Sequence, residues 1–181
     1  MRVLVALVGP RLVLREFVTT DLDSILKLAC EEDILANWGW DAPTAEEAMR
    51  FLTEATQRQL QAVRSQYDLA IILAVTGELI GDCEIGFAPG ETDAELGFCI
   101  APDHRRRGYA TDAVRRLIQF GFHELGMTRL YGFCDATNEA SARTMARAGL
   151  VLERTGLSKN ETTGKIQNSH LFAIHRDRWQ P

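Results

Sequence analysis

Apolar and polar positions alternate along the first part of the chain and then switch to a helical period. Val3 to Val8 and Leu12 to Phe17 read as two successive strands around Gly9-Pro10. A helix follows from about Asp21 to Cys30, with Thr20 as its N-cap. Thr44-Ala45-Glu46-Glu47 has the capping-box pattern and opens a longer helix to about Arg64, with Ala48, Phe51, Leu52, Ala55 and Leu60 on its apolar side. Tyr67 to Val75, Leu79 to Ala88 and Ala94 to Ile100 read as strands. The turns between them, Thr76-Gly77-Glu78 and Pro89-Gly90-Glu91, are short enough to require antiparallel neighbours.

From Tyr109 the period is helical again, with Ala110, Val114, Leu117, Gly121 and Leu125 in phase and a stop at Gly126. Arg129 to Asp135 reads as a strand, Asn138 to Ala148 as a helix ended by Gly149, and Val151 to Thr155 as a further strand. A polar loop, Ser158 to Gly164, leads to the last strand, Ile166 to Ile174. Where a helix joins the strand ending at Ile100 to the strand beginning at Arg129, the connection is a crossover and the two strands run parallel. The fold class is therefore α/β (α+β): a mixed, mostly antiparallel sheet with one parallel pair, flanked by helices. No repeat or low-complexity segment divides the 181 residues, so residues 1–181 read as a single domain.

Composition narrows the function classes. Hydrophobic residues make up 46% and charged residues 25%, which suits a globular enzyme domain. A net charge of -5 argues against a general nucleic-acid binder, because the positive charge concentrates in a few places such as Arg105, Arg106 and Arg107. The opening apolar run is interrupted at Gly9-Pro10, too early for a signal-peptide core, and no stretch approaches the length of a membrane span. A cytoplasmic protein with no membrane contact is expected. Cys30, Cys83, Cys99 and Cys134 stand singly, without C-x-x-C or histidines at ligand spacing, so no metal is expected and each thiol reads as a small apolar residue.

The stretch ELGFCIAPDHRRRGYATDA, from Glu95 to Ala113, carries the chemistry. It is strand, turn and helix N-terminus, with Arg105, Gly108 and Ala110 in the order R-x-x-G-x-A. Small residues let the backbone approach a ligand while free helix N–H groups point the same way, which suits a phosphate. No G-K-[ST] follows and G-x-G-x-x-G is absent, so this is neither a P-loop nor a dinucleotide turn. By themselves three arginines before a helix also read as a solvated turn. Together with the helix ATDAVRRLIQF and the later segment NEASARTMARAGL, however, the chain resembles the GNAT N-acetyltransferase superfamily, in its RimJ/RimL-like branch. RLVLREFVTTDLDSILKL near the start and HLFAIHRDRW near the end extend the resemblance over nearly the whole chain.

The resemblance implies a GNAT-like sheet whose parallel pair splays apart to admit acetyl-CoA as acyl donor, with no metal. It places the pantetheine against Phe98, Cys99 and Ile100, the pyrophosphate on Arg105, Arg106, Arg107, Gly108, Tyr109, Ala110 and Thr111, and further contacts at Asn138 and Ser141. A backbone N–H near Ile100 would face the thioester carbonyl. Asn138 and Ser141 read equally as an N-cap and its first turn. Many family members carry a tyrosine seven residues after this asparagine to protonate the leaving thiolate. Met145 stands there and cannot donate, which makes Ser141 the candidate. Glu95 is the candidate general base, acting through water, and also reads as a solvent-facing strand residue. Glu84 and Asp135 stand behind it, while His104, His123, His170 and His175 have no partner that the sequence identifies.

The implied reaction is acetyl transfer to a primary amine by direct attack in a ternary complex. A weak base favours an α-amine, with a pKa of about 8, over a lysine at about 10.4. A protein N-terminus, such as that of a ribosomal protein, and a small-molecule amine both remain open. Glu31, Glu32, Asp33, Asp41 and two tryptophans in the segment from Glu31 to Asp41 are placed by the resemblance at one wall of the acceptor groove. The alternative from another class is a non-catalytic acyl-CoA-binding or sensing protein, which Met145 permits. Whether the chain pairs as a homodimer is left open.

Overall fold

Eight strands make one sheet: β1 (Ala6–Val8), β2 (Leu12–Glu16), β3 (Gln66–Leu73), β4 (Leu79–Gly86), β5 (Asp93–Ile100), β6 (Arg129–Asp135), β7 (Val151–Lys159) and β8 (Ile166–His175). The structure, a computed structural model, describes residues 5–32, 34–35, 43–159, 164 and 166–180. Among the described residues four α-helices cover the sheet: α1 (Leu22–Ala29), α2 (Ala45–Arg58), α3 (Tyr109–His123) and α4 (Glu139–Ala148). The strand order is β1-β2-β3-β4-β5-β6-β8-β7. Every neighbouring pair is antiparallel except β5 and β6, which α3 joins as a crossover. The mixed, mostly antiparallel α/β architecture expected from the sequence is the one observed.

Strand alternation divides the core into two layers. Leu14, Leu69, Ile71, Cys83, Ile85 and Leu96 meet Val114, Leu117 and Ile118 of α3 and Met145 of α4. On the opposite face Ala70, Ile72 and Leu79 meet Ile25 and Leu28 of α1 and Ala48 and Leu52 of α2. Burying one such leucine stabilises the fold by about 1.5–3 kcal/mol. The two faces therefore carry different helix pairs, and the residue parity along β4 and β5 decides which face each functional side chain reaches.

Several boundaries differ from the sequence reading, and three of them have a cause in tertiary contacts. α2 ends at Arg58 instead of about Arg64. Its end is fixed by tertiary contacts: Arg58 Nε donates to Asp68 Oδ2 at 2.8 Å, and the buried Gln59 donates from Nε2 to the Phe17 carbonyl at 2.8 Å. Leu60, expected on the apolar side, is 77% exposed. Thr20 does not cap α1. A short 3-10 turn, Thr19–Asp21, precedes the helix. Its Asp21 carboxylate accepts from the Val18 N–H at 2.9 Å and from both terminal nitrogens of Arg15 at 2.8 and 2.7 Å. Asp21 stands at the N-cap of α1, with its carboxylate turned back to Arg15 and Val18 rather than to the helix. Finally, β7 runs on to Lys159 because Ser158 and Lys159 pair with Gln167 and Ile166. Residues 3 and 4 of the first expected strand lie outside the described residues.

The α2 boundary yields a contrast. Leu52→Ala should cost about 2–5 kcal/mol in urea unfolding, as for any fully buried leucine, whereas Leu60→Ala should change stability by less than about 0.5 kcal/mol. Equal losses at the two positions would put Leu60 in the core and restore the longer helix.

Candidate active site

The parallel pair is where the sheet stops being continuous. β5 and β6 share three registered positions, Asp93 with Arg129, Ala94 with Leu130 and Glu95 with Tyr131. Beyond these, β5 stays paired to β4 as far as Ile100 and β6 stays paired to β8 as far as Asp135. Each strand is held by its outer neighbour while the inner edges separate. Main-chain groups of residues 96–100 and 132–135 then face a gap, and such an edge can pair with an extended amide-bearing chain laid into it. Gly132 sits where the strands part. A Cβ there would stand 3.0 Å from the Leu96 carbonyl oxygen and 3.3 Å from Met145 Sδ, so a side chain would force the neighbours aside.

At the far end of β5 comes a 3-10 turn, Pro102–His104, and then the three arginines. Arg106 has φ +62° and Gly108 φ +83°. Left-handed residues alternating with ordinary ones turn successive N–H groups toward one side, which makes an anion-binding concavity. No side chain caps α3, so the N–H groups of its first turn and its positive end face that same hollow. Arg105 braces the loop from inside, its Nε donating to the Ile100 carbonyl at 2.7 Å. Arg11 braces it from outside: Nη1 donates to the Arg107 carbonyl at 2.9 Å and Nε to Asp112 Oδ2 at 2.7 Å.

Because β5 and β6 are parallel and each runs into a helix, α3 and α4 begin at the same end of the sheet. Asn138 Oδ1 accepts from the Ser141 N–H at 3.0 Å, so Asn138 is the N-cap of α4. Met145 lies one turn beyond Ser141 and is buried against the parting strands. The thioether at that position fills core space.

A cavity of about 760 Å³ opens at the fork. Of the residues singled out from sequence, Glu84, Glu95, Phe98, Cys134, Asp135, Asn138 and Ser141 line it. Cys99 and Ile100 do not: Cys99 packs toward the α1/α2 layer and Ile100 is buried in the α3/α4 layer. The loop of residues 105–111 follows the end of β5 and lies outside the lining. Cys134 is on the wall, and burial together with the nearby Asp135 charge raises its thiol pKa. Raised above its ordinary value, that thiol stays protonated near neutral pH.

The cavity wall on the α1/α2 side was mostly missed by sequence reasoning. Phe51 and Arg58 reach it from α2, Gln66 and Asp68 from β3, Asp82 and Glu84 from β4. A polar chain connects them. Arg58 Nε donates to Asp68 Oδ2 at 2.8 Å, and Gln66 Nε2 donates to Asp68 Oδ1 at 3.1 Å and to Glu84 Oε2 at 2.8 Å. Glu84 lies opposite Gly97 of β5, where a Cβ would stand 2.8 Å from Glu84 Oε1. Glu84 is open to solvent in the cavity yet crowded by protein atoms, and this crowding, then the Asp68 charge, raise its pKa, with Glu95 adding to the rise and the Gln66 hydrogen bond opposing it. One signal was available in the sequence: Asp82 and Glu84 alternate with buried Cys83 and Ile85, which places charge on a face that helices cover.

The other candidates have different employment. Asp135 Oδ1 accepts from the Thr137 N–H at 2.8 Å and from its hydroxyl at 2.6 Å, shaping the turn into α4. His104 Nε2 is 3.4 Å from Glu78, His170 Nδ1 2.8 Å from the Thr155 hydroxyl, and His175 Nε2 3.2 Å from Glu153. His123 packs edge-on against Trp179. Of the acidic and tryptophan-bearing segment 31–41, residues 33 and 36–41 lie outside the described residues; Glu31 and Glu32 are exposed. Among the described residues no group of three or more His, Cys, Asp or Glu could hold a metal ion, and no helix is long and apolar enough to cross a membrane.

A parallel strand pair opened from one end, with an uncapped, glycine-led helix at that end, is the architecture of an acyl-CoA-dependent transferase. The chain matches the acetyltransferase (GNAT) domain over residues 11–151 and belongs to that family of N-acetyltransferases, which use acetyl-CoA. It is 26% identical over 174 residues to the uncharacterized N-acetyltransferase YoaA of Bacillus subtilis, covering 93% of this chain and 95% of that one. Among solved structures, RimL, a ribosomal L7/L12 α-N-protein acetyltransferase in complex with coenzyme A, superposes with a TM-score of 0.81 at 16% identity, covering 96% of this chain and 99% of RimL. Spermidine N-acetyltransferase from Vibrio cholerae, in complex with CoA and spermine, superposes with a TM-score of 0.76 at 20% identity, covering 94% and 98%. At these identities the two superpositions bear on the fold.

The raised Glu84 pKa has a stability consequence. A carboxyl whose folded pKa exceeds its unfolded value binds its proton more tightly in the native state, so its contribution is most favourable at low pH and is lost as pH rises through the folded pKa. Glu84→Gln removes that loss. The variant should therefore melt higher than the parent at about pH 7, and the difference should vanish toward about pH 4, where both carboxyl forms converge on the neutral state. Thermal unfolding across that range checks it; a lower melting point at neutral pH would mean that the ionised carboxylate is favoured in the fold.

Proposed function

We propose that this N-acetyltransferase transfers the acetyl group of acetyl-CoA to a primary amine carried on a cationic body, either a protein N-terminus or a polyamine-like small molecule. The observation that carries the reading is the division of the fork between two faces. The donor loop and the starts of α3 and α4 serve one side, where an acyl thioester would run in the gap between β5 and β6. Asp68, Asp82 and Glu84 serve the other side, where an amine would arrive. A positively charged acceptor is drawn to such a wall, and its proton must be removed before attack.

Glu95 is assigned the proton. It occupies the last paired position of β5 before the strands part, on the same side of the sheet as Glu84. Through a water it takes the ammonium proton, and Glu84, tuned upward beside it, limits the charge accumulated on that wall. Phe98 and its strand position the pantetheine arm. The N–H groups of residues 106–111 hold the pyrophosphate, while Arg105 and Arg11 keep that loop in shape. Ser141, on the cavity wall at the first turn of α4, steadies the departing thiolate. The acceptors named for the superposed enzymes, an α-N-protein terminus and spermine, both fit an acidic approach.

Glu95→Gln should leave CoA affinity unchanged and lower turnover by about 10²–10⁴-fold, with the deficit shrinking as pH approaches the pKa of the amine. Ser141→Ala should lower turnover without that convergence. CoA release, followed with a thiol reagent across pH for a panel of peptides, polyamines and aminoglycosides, reads both effects and names the acceptor class. Parental turnover for Glu95→Gln at every pH would remove the base assignment. An absence of CoA release with every amine, despite tight acetyl-CoA binding, would overturn the acceptor reading.

Donor binding is tested separately. Gly108→Val places a side chain on a left-handed residue, with its Cβ 3.2 Å from Arg11 Nη2. It should weaken CoA binding more than Arg106→Ala or Arg107→Ala, because main-chain groups hold the phosphates. Calorimetric titration decides the order. At a hundredfold excess over its dissociation constant, CoA should stabilise the parent by about 2.7 kcal/mol.

A further inference from the structure

Away from the fork, on the outer face of α3, lies a second concavity of about 680 Å³. The β1–β2 turn, α3, the C-terminal end of α4 and the last described residues enclose it, and Arg11, Arg115, Arg116, Arg147 and Arg178 line it together with a single carboxylate, Asp112. In a chain whose net charge is -5, this is a concentrated reversal of sign. Asp112 is already committed to Arg11 at 2.6 Å. The Arg115 guanidinium donates to the Arg147 carbonyl at 2.7 Å, and Arg116 donates to the neutral Gln119 amide at 3.2 Å. Among the described residues no ion pair joins Arg115, Arg116, Arg147 or Arg178 to a carboxylate.

Four guanidinium groups around one hollow, none of them ion-paired to a carboxylate among the described residues, repel one another. The position of Arg147 in the last turn of α4 is favoured by the helix dipole, which accounts for one of the four. The remaining three call for an anion. Planar, five-donor guanidinium forks match phosphate oxygens two at a time. The concavity has the size of a small-molecule site. The chain's net charge of -5 opposes a long polyanion running beyond the hollow and favours a compact ligand over a nucleic acid strand. Trp179 also lines the hollow, half-buried and fixed against Phe122 at 5.4 Å and His123 at 5.0 Å, and it offers a rigid ring beside the charges.

We propose that the arginine-lined hollow on the outer face of α3 is a second anion site, separate from the donor loop, that binds a compact multiply charged phosphate ester of the nucleoside polyphosphate class. The arginines contact the phosphate chain and Trp179 the base. Arg11 touches both this hollow and the back of the donor loop, through Asp112 and the Arg107 carbonyl, so the site and the loop share one wall.

The test is calorimetric titration of magnesium-free ATP into the protein already saturated with CoA, at about 0.1 M salt. One bound ATP is expected, and its affinity should fall about tenfold or more in Arg147→Ala/Arg178→Ala, since each charge-assisted contact contributes appreciably. Both side chains are exposed, and an unchanged melting point with unchanged CoA affinity will show that the variant is folded with its donor site intact. Tripolyphosphate in place of ATP should bind more weakly, as expected when the base contributes. ATP binding to the CoA-free protein that is blocked by CoA but not by dephospho-CoA would mean that the hollow receives the 3′-phosphate of CoA itself and would overturn a separate site. Equal ATP affinity in parent and variant, or no binding at all, would overturn it as well. Neither result would bear on acetyl transfer at the fork.

Discussion

Pairing between β5 and β6 ends after Glu95 and Tyr131, and the functional architecture depends on that ending. A parallel pair that zipped to its end would present an unbroken sheet with no gap for a ligand. Two things keep it open. β4 and β8 hold the outer edges of the two strands over their remaining length, so neither strand can swing inward without losing those bonds. At the point of divergence Gly132 allows the Leu96 carbonyl to approach closely, and Met145 packs beneath. The main-chain groups left in the gap are polar and partly enclosed, a condition that favours a ligand bearing amides of its own.

The fork joins two chemically distinct faces. Alternation along β5 sends Ala94, Leu96 and Ile100 toward α3 and α4, where the core is apolar, while Glu95 emerges on the cavity side with Glu84 and Asp68. Desolvation first, and then the neighbouring Asp68 and Glu95 charges, push Glu84 upward, while Gln66 and Arg58 are threaded between these carboxylates. In the function proposed above, this wall attracts the charged amine and Glu95 stands as its base where the strands divide.

Around the donor loop the arginines act mainly as scaffolding. Arg105 ties the loop to the end of β5, and Arg11, from a turn far away in sequence, ties it to α3. In the proposed function the anion is held by the backbone, at the left-handed residues Arg106 and Gly108 and the uncapped start of α3. Main-chain donors fixed in this way need little reorganisation when a phosphate arrives, which long flexible side chains could not match.

Much of this was written in local sequence. Alternation marked most strands, the helical period marked α3 and α4, and R-x-x-G-x-A marked the turn before α3, because these signals arise from backbone geometry within a few residues of one another. The parallel pair followed from the length of the connection between Ile100 and Arg129. Contacts between distant segments were not legible. The end of α2 is set by Asp68 and Phe17, the start of α1 by Arg15, and the extent of β7 by its partner β8. The carboxylate wall at the fork, the brace from Arg11 and the arginine hollow on α3 likewise draw on residues scattered along the chain. Sequence determined which segments could be strands, helices and an anion-binding turn; only the tertiary structure decided which charges face one another, because charge proximity depends on strand order and register, and no local pattern encodes either.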